Sequence, residues 1–489
     1  MTLLQLIKDD KNIHGQNGYI NAIRNKINLE PISDITDDQG NQYVDLVMEG
    51  GTVWGLALIG YTYTLEQAGI RFLNLAGTSA GSINAMILAS LGQSSDPKSE
   101  KLLNIFDQMD LKSFVDGGTL ANELTKDIEQ KDNPFFAMLP KIIGLLTLGK
   151  FGKNKLGINP GETFERWLEK QLSDNGVTTT AHLFRKMKNE KLQIRKNARR
   201  INPIEDLERF KNNFQTNELA IIASDISTES KITFPQMGYL YWEDPLSINP
   251  KIFVRASMSI PVFFEPVRLG NLPKKRKEYW RALTGYDGEL PDVAYLVDGG
   301  VISNFPIDIF HSHDCIPLCP TFGAKLGIDR DKPSKIESIS DFASAIFETL
   351  RHNNDFTFLF KNEDYKLLIA YIDTSQKYLA KDSTENKNFI EKIVDKFKKE
   401  ESDTFSALDF NMSNQKKAAL FALGAKAAYE FICGNDKYHE NKYLTPIPSG
   451  SIPPFDWESY KDLRNQLIVV DAEEYKARKQ RIKRFSLLP

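Results

Sequence analysis

Cysteine is scarce in this sequence, with only Cys315, Cys319 and Cys433 in a chain of 489 residues. Three thiols cannot build a disulfide framework for a protein this size, so a reducing compartment is the simpler expectation. Long apolar runs are missing too. No window approaches the roughly 18 apolar residues of a membrane-spanning helix. The N-terminal stretch Met1 to Asp10 is apolar too briefly for a signal peptide before it turns acidic. A soluble, cytoplasmic protein is expected, with any membrane contact peripheral. Nor is there an excess of positive charge. Against 65 Asp and Glu stand 62 Lys and Arg, a net charge of −3 that offers nucleic acid no basic field. Internal repeats are absent. What remains is an ordinary globular composition, 41% hydrophobic and 26% charged, long enough for one large domain with insertions or for two to three domains.

The most informative stretch runs from Arg71 through Gly77-Thr78-Ser79-Ala80-Gly81 to Leu91. A short apolar run, Phe72 to Ala76, suits a buried strand, and Ile83 to Leu91 has helical length. Strand, Gly-x-Ser-x-Gly and helix together describe a nucleophile elbow. The turn is so sharp that only small neighbours fit, hence Gly77, Ala80 and Gly81. It leaves the Ser79 hydroxyl above the strand end, with a helix N-terminus behind it to favour negative charge. The plain alternative is a tight turn with an incidental serine.

Upstream, Tyr43 to Met48 reads as a strand and Val53 to about Gln67 as a helix, with Gly69 as its stop. With the next strand this makes a βαβ unit, expected to be parallel. The connection, Glu49-Gly50-Gly51-Thr52-Val53-Trp54-Gly55-Leu56, has a phosphate loop's glycine spacing but puts Leu56 where lysine should stand. It is not Gly-x-Gly-x-x-Gly either, which speaks against nucleotide binding. Glycines also let backbone N–H groups turn inward together, as an oxyanion hole needs, and this loop should lie beside Ser79.

Residues 1–40 are polar with weak periodicity and are expected to form an N-terminal arm. From Asp110 to Met187 the pattern turns irregular, as an insertion over the sheet would be. Within it, Asn133 to Lys153 is the most apolar segment of the chain, with positive charges at Lys141, Lys150 and Lys153 and a fourth if Lys155 just beyond it is added. It reads either as a core helix with a polar end or as a lid that meets lipid. The basic runs Arg185 to Lys188 and Arg195 to Arg200 read as solvated surface or as a functional patch. Leu219 to Asp225 and Lys231 to Phe234 are strands, Arg255 to Pro261 a helix stopped by proline. Further helices are expected at Ile339 to Asn353, Phe389 to Lys399 and Asn414 to Cys433, where alanines allow tight packing. Residues 434–489 are expected to hold a linker around Ile447 to Pro454 and a helical tail in which Asp471 and Glu474 have capping-box spacing.

Tyr295-Leu296-Val297-Asp298-Gly299-Gly300 delivers an aspartate at the end of an apolar strand. Open α/β sheets hold their sites at such ends, although Asp-Gly is also a frequent turn. Downstream, His311, His313, Cys315 and Cys319 are four candidate zinc ligands in a nine-residue window, but their spacing matches no closed structural site well. No metal or cofactor is expected.

Two serine-hydrolase schemes compete. A Ser–Asp–His triad in α/β-hydrolase order is open, because His311, His313, His352 and His439 follow Asp298, but several strands should then precede the elbow. A Ser–Asp dyad needs a glycine-rich loop one strand before the elbow and an aspartate at a third strand end, and all three are present in order. Here the chain resembles the patatin-like phospholipase family, through Glu49 to Gly55, Gly77 to Gly81, Arg255 to Pro261 and Asp298 to Pro306. The resemblance covers Tyr43 to Asn304 and extends toward Cys433.

That resemblance implies a three-layer α/β/α fold with a mostly parallel central sheet, a lid-like insertion at 110–187 within a hydrolase domain spanning 41–433, and a helical C-terminal extension. It implies a serine esterase, a lipid acyl hydrolase of phospholipase A type. Ser79 would be the nucleophile, Asp298 the general base, and Gly50, Gly51 and Thr52 the oxyanion hole. The partners implied are a phospholipid or other acyl lipid, transient contact with a membrane surface, and an activating protein or small molecule of unknown identity. One departure stands out. Thr52 and Trp54 occupy the third-glycine and basic positions of the family's Gly-Gly-Gly-x-Lys/Arg-Gly loop. The alternative function is therefore a lipid-binding or regulatory protein on a weakened hydrolase scaffold.

Overall fold

The apolar run Leu219–Asp225 is buried at every residue and is the strand against which the site is assembled. In the computed structural model of this chain the described residues are 2–130, 139–188, 192–199, 218–311, 315–374, 412–435 and 453–468, apart from 153, 328–332, 334 and 335. The expected helix at Phe389 to Lys399, the Asp471 and Glu474 cap, His313 and His439 lie outside them.

Among these residues the strands are β1 (Ile35–Thr36), β2 (Gln42–Met48), β3 (Ile70–Thr78), β4 (Gly157–Asn159), β5 (Gln193–Ile194), β6 (Leu219–Asp225), β7 (Ser230–Phe234), β8 (Val262–Phe264), β9 (Val267–Gly270), β10 (Val293–Asp298), β11 (Thr321–Leu326) and β12 (Ile369–Ile372). The main sheet runs β12-β11-β2-β3-β6-β10-β9, with β7 on β6 and β1 joining β2 to β5, while β4 and β8 pair separately. From β12 to β6 the neighbours are parallel, and β2 and β3 flank the helix Gly55–Gln67 as the βαβ reading expects. The remaining pairs of this sheet, β6–β7, β6–β10, β10–β9, β1–β2 and β1–β5, are antiparallel. The sheet is therefore mixed, which corrects the mostly parallel expectation. The connection between β6 and β7 is too short for a crossover, so it can only be a hairpin.

Residues 1–40 also differ from the expected arm. Leu3–Lys8, Lys11–His14 and Tyr19–Leu29 are helical, and Ile13, Ile20, Ile23 and Ile27 are buried in the main core. Spacings of three, four and seven are those of one helical face, a pattern the surrounding polar residues obscure. Asn414–Cys433 packs on Gly55–Gln67 at backbone distance. A Cβ on Gly60 would strike the Phe421 carbonyl, and one on Gly424 the Ala57 carbonyl. The helix at 457–468 buries Trp457, Tyr460 and Arg464. It also absorbs part of the second basic run, since Arg195 pairs with Glu458 (3.5 Å) and Arg199 with Glu458 (2.9 Å) and Asp462 (2.8 Å). No helix among the described residues is long and apolar enough to cross a membrane.

Candidate active site

The elbow forms as the small residues require. β3 ends at Thr78, and Ser79 turns with φ 50° and ψ −119°, a left-handed conformation that a side chain adopts only under strain. A Cβ on Gly77 would collide with the Gly81 backbone, and one on Gly81 with the Met48 carbonyl. The helix Ala80–Ser90 starts immediately, yet the Ser79 hydroxyl does not cap it. Its backbone is held instead. The Ser79 N–H donates to Ser257 Oγ at 3.0 Å, and its carbonyl accepts from the Ser82 N–H at 2.9 Å.

Asp298 reaches the same place from the opposite direction. On β6, Ile222 pairs with Thr78 of β3 and Ala223 with Asp298 of β10, while β7 occupies the other edge at both residues. β3 and β10 therefore share one edge of β6 and meet end to end. The sequence places Asp298 correctly at a strand end beside the elbow, but that strand is antiparallel to its neighbours. Gly299 permits the join, because a Cβ there would strike the Ile222 carbonyl.

The Asp298 carboxylate is buried. One oxygen accepts from the Gly300 N–H at 2.7 Å, and Oδ2 has no hydrogen-bond partner of normal geometry. Burial raises its pKa from 3.8 to about 6, while the nearby Ser79 hydroxyl, the Gly300 N–H and the Arg351 charge pull the other way. The Asp298 N–H donates to the Ser259 carbonyl at 2.9 Å, so the segment expected as a proline-stopped helix holds both Ser79 and Asp298. That helix is Lys251–Ser257, and buried Arg255 ties its C-terminal end to the carbonyls of Pro160 (2.6 Å) and Glu265 (2.9 Å).

The loop after β2 lies beside Ser79. A Cβ on Gly50 would stand 3.0 Å from the Ser79 Cβ and would strike Asn304 Oδ1. Thr52 has φ 48°, the left-handed region that its Cβ disfavours. The expected amide of Gly50 is occupied in this arrangement, because it donates to the Asn304 carbonyl at 3.1 Å. Gly51 and Thr52 are then the remaining candidate donors of the three.

Four residues that sequence reasoning missed tie these loops together. Asn304 Nδ2 donates to the Gly50 carbonyl and to Glu49 Oε1, both at 3.1 Å. Glu49 is itself buried against Lys325 at 2.8 Å. From the helix Ile339–Lys361, Arg351 Nη2 donates to the Gly50 carbonyl at 3.3 Å. One turn on, Asp355 accepts from the Asn304 N–H at 2.9 Å and the Phe305 N–H at 2.8 Å. Ser257 is the fourth. Nothing in the spacing of Ile339–Lys361, a helix with many other polar residues, singles out Arg351 and Asp355.

Ser79 opens on an apolar pocket walled by Leu56, Ile83, Phe106, Phe114, Phe164 and Phe264. Phe114 and Phe164 come from the expected insertion and meet edge to face at 5.3 Å. Of the candidate zinc ligands, His311 hydrogen-bonds the Tyr365 hydroxyl at 2.9 Å, and Cys315 and Cys319 are buried outside any disulfide. No group of three metal-ligating side chains occurs among the described residues.

A family model described as patatin-like phospholipase matches residues 46–311, more than half of the chain. The chain is 27% identical over 398 residues to the Bacillus subtilis (strain 168) protein YqhO, described as uncharacterized, covering 80% of this chain and 98% of that one. Among solved structures it is similar to VipD from Legionella pneumophila, at 14% identity and TM-score 0.33, over 82% of this chain and 70% of that one. It is also similar to the ExoU–SpcU complex of the Pseudomonas aeruginosa type III secretion system, at 14% identity and TM-score 0.29, over 91% of this chain and 60% of that one. Likeness at that level bears on neither substrate nor partner.

Proposed function

The chain belongs to the patatin-like phospholipase family, and on that premise we propose that it hydrolyses fatty-acyl esters of lipids through Ser79 and Asp298. The observation that carries the proposal is the end-to-end meeting of β3 and β10. It puts a hydroxyl without a capping role beside a buried carboxylate at the wall of an apolar cavity.

Ser79 Oγ attacks the ester carbonyl and Asp298 takes its proton. The tetrahedral oxyanion is met by the Gly51 and Thr52 amides. As it collapses, the proton passes to the departing alcohol and an acyl-Ser79 ester remains. Water then adds to that ester, again giving its proton to Asp298, and the fatty acid leaves as Ser79 is restored. A free aspartate is a weak base. With its pKa near 6, Asp298 is a stronger one and is still mostly ionised at pH 7. The pocket's apolar lining beside Ser79 suits an acyl chain. Ile143 and Leu148, exposed on the insertion beside Lys141 and Lys150, suit contact with a lipid surface.

Turnover of a fatty-acyl ester and of mixed phospholipid vesicles tests the reading, with fluorophosphonate labelling alongside. Wild-type rates from Ser79→Ala or Asp298→Asn would sink the dyad. The second reading, lipid binding on a weakened scaffold, draws on the Thr52 and Trp54 departures. It is recognised by lipid retention without any labelling of Ser79.

A further inference from the structure

The loop that lies beside Ser79 carries no positive charge of its own, since Trp54 stands where a basic residue would. The nearby Lys325 does not fill the gap, because it is buried against Glu49 and over the Phe305 ring. Arg351 does approach. It sits half-buried on Ile339–Lys361, with Nη1 3.5 Å from Glu348 and Nη2 3.3 Å from the Gly50 carbonyl.

The atom it holds matters. The Gly50 carbonyl and the Gly51 N–H belong to one planar trans peptide, in which the two point in opposite directions. Fixing the oxygen therefore fixes where the Gly51 N–H points. Two donors fix it, Asn304 Nδ2 at 3.1 Å and Arg351 Nη2 at 3.3 Å. A cation at the carbonyl end also polarises the peptide, which strengthens its N–H as a donor.

We propose that Arg351 is the positioning residue of this loop. By holding the Gly50 carbonyl it aims and polarises the Gly51 N–H toward the oxyanion, supplying from a distant helix the charge that the loop lacks. Asp355, one turn along, accepts from the Ser303 hydroxyl and from the Asn304 and Phe305 N–H groups, which anchors the helix and keeps Arg351 in reach.

The inference rests on the hydrolase reading above, and the experiment separates the two. Loss of an oxyanion donor typically costs about 10²–10³ in rate, and loss of its alignment should cost about 10–10². Full-length Arg351→Ala is expected to lose about 10–10² in kcat on a fatty-acyl ester with KM changed less than about threefold, and to react correspondingly slowly with a fluorophosphonate. Millimolar guanidinium should restore part of both rates, which a purely structural loss would not allow. Arg351→Gln keeps an N–H without the charge and should fall between the two. It carries the test if Arg351→Ala does not fold. Wild-type kcat in either variant, or no response to guanidinium in folded Arg351→Ala, overturns the role of Arg351 alone. A wild-type protein that neither turns over nor labels overturns the hydrolase reading, and this role with it.

Discussion

Replacing Asp298 by asparagine should make the protein more stable as it becomes inactive, and the gain should depend on pH. The carboxyl titrates near 6 in the folded chain against 3.8 ordinarily. Between those values the native state holds a proton that the unfolded chain has released. Stability therefore falls as pH rises from about 3.8 through 6, and the loss is complete above it. At about 1.36 kcal/mol per tenfold, the gap is worth about 3 kcal/mol at pH 7 and about 0.6 kcal/mol at pH 4. An amide at this position has no such titration and can still accept from the Gly300 N–H. With an unfolding entropy of about 2.1 cal/mol/K per residue, a 489-residue chain changes by about 1 kcal/mol per degree, so Asp298→Asn should raise Tm by about 3 °C at pH 7. The assay is differential scanning calorimetry of both proteins at matched scan rates from pH 4 to pH 8. A lower Tm for the variant at pH 7, or a gain equal at pH 4 and pH 7, would refute the reasoning.

The same geometry sets other expectations. The acid limb of kcat/KM should have its midpoint near pH 6 and fall about tenfold per pH unit below it, and a midpoint near 4 in a pH–rate profile would remove the buried base. Thr52→Gly relieves a left-handed φ of 48°, so it should raise stability by up to about 1 kcal/mol after the entropy of glycine is subtracted, with turnover kept or increased; thermal unfolding and an ester assay read both. Ile83→Phe narrows the cavity one turn beyond Ser79 and should lower kcat/KM for long acyl chains about tenfold relative to short ones, measured across a series of chain lengths.

The candidate site was legible in the sequence where its geometry depends on local backbone. Glycines at 77 and 81 force the elbow, and the strand-to-helix change around Ser79 can be read from a dozen residues. The departure at Thr52, a residue with a Cβ at a glycine position, is equally a matter of one residue type in one turn, and its φ is 48°. What the sequence hides is pairing at long range. Nothing in Tyr295 to Asp298 says whether that strand runs with its neighbours or against them, because a strand buried by the same apolar run accepts either. Arg351 and Asp355 escaped notice for a similar reason. Their partners, Gly50 and Ser303 to Phe305, are set by tertiary packing and not by spacing along the helix. The N-terminal isoleucines were missed because polar neighbours dilute a short amphipathic face.

The shared edge of β6 makes the geometry of Ser79 and Asp298 discrete. Both strand ends are indexed against consecutive residues, Ile222 and Ala223, as two hands on one ruler. A one-residue slip of β10 would carry Asp298 about 3.4 Å along the strand and turn its side chain to the opposite face. Intermediate placements do not exist. Damage to the β6–β10 ladder should thus divide a preparation into competent and inert molecules instead of slowing every molecule equally. Active-site titration of a variant such as Ser224→Pro would then report fewer titratable serines, each turning over at the wild-type rate.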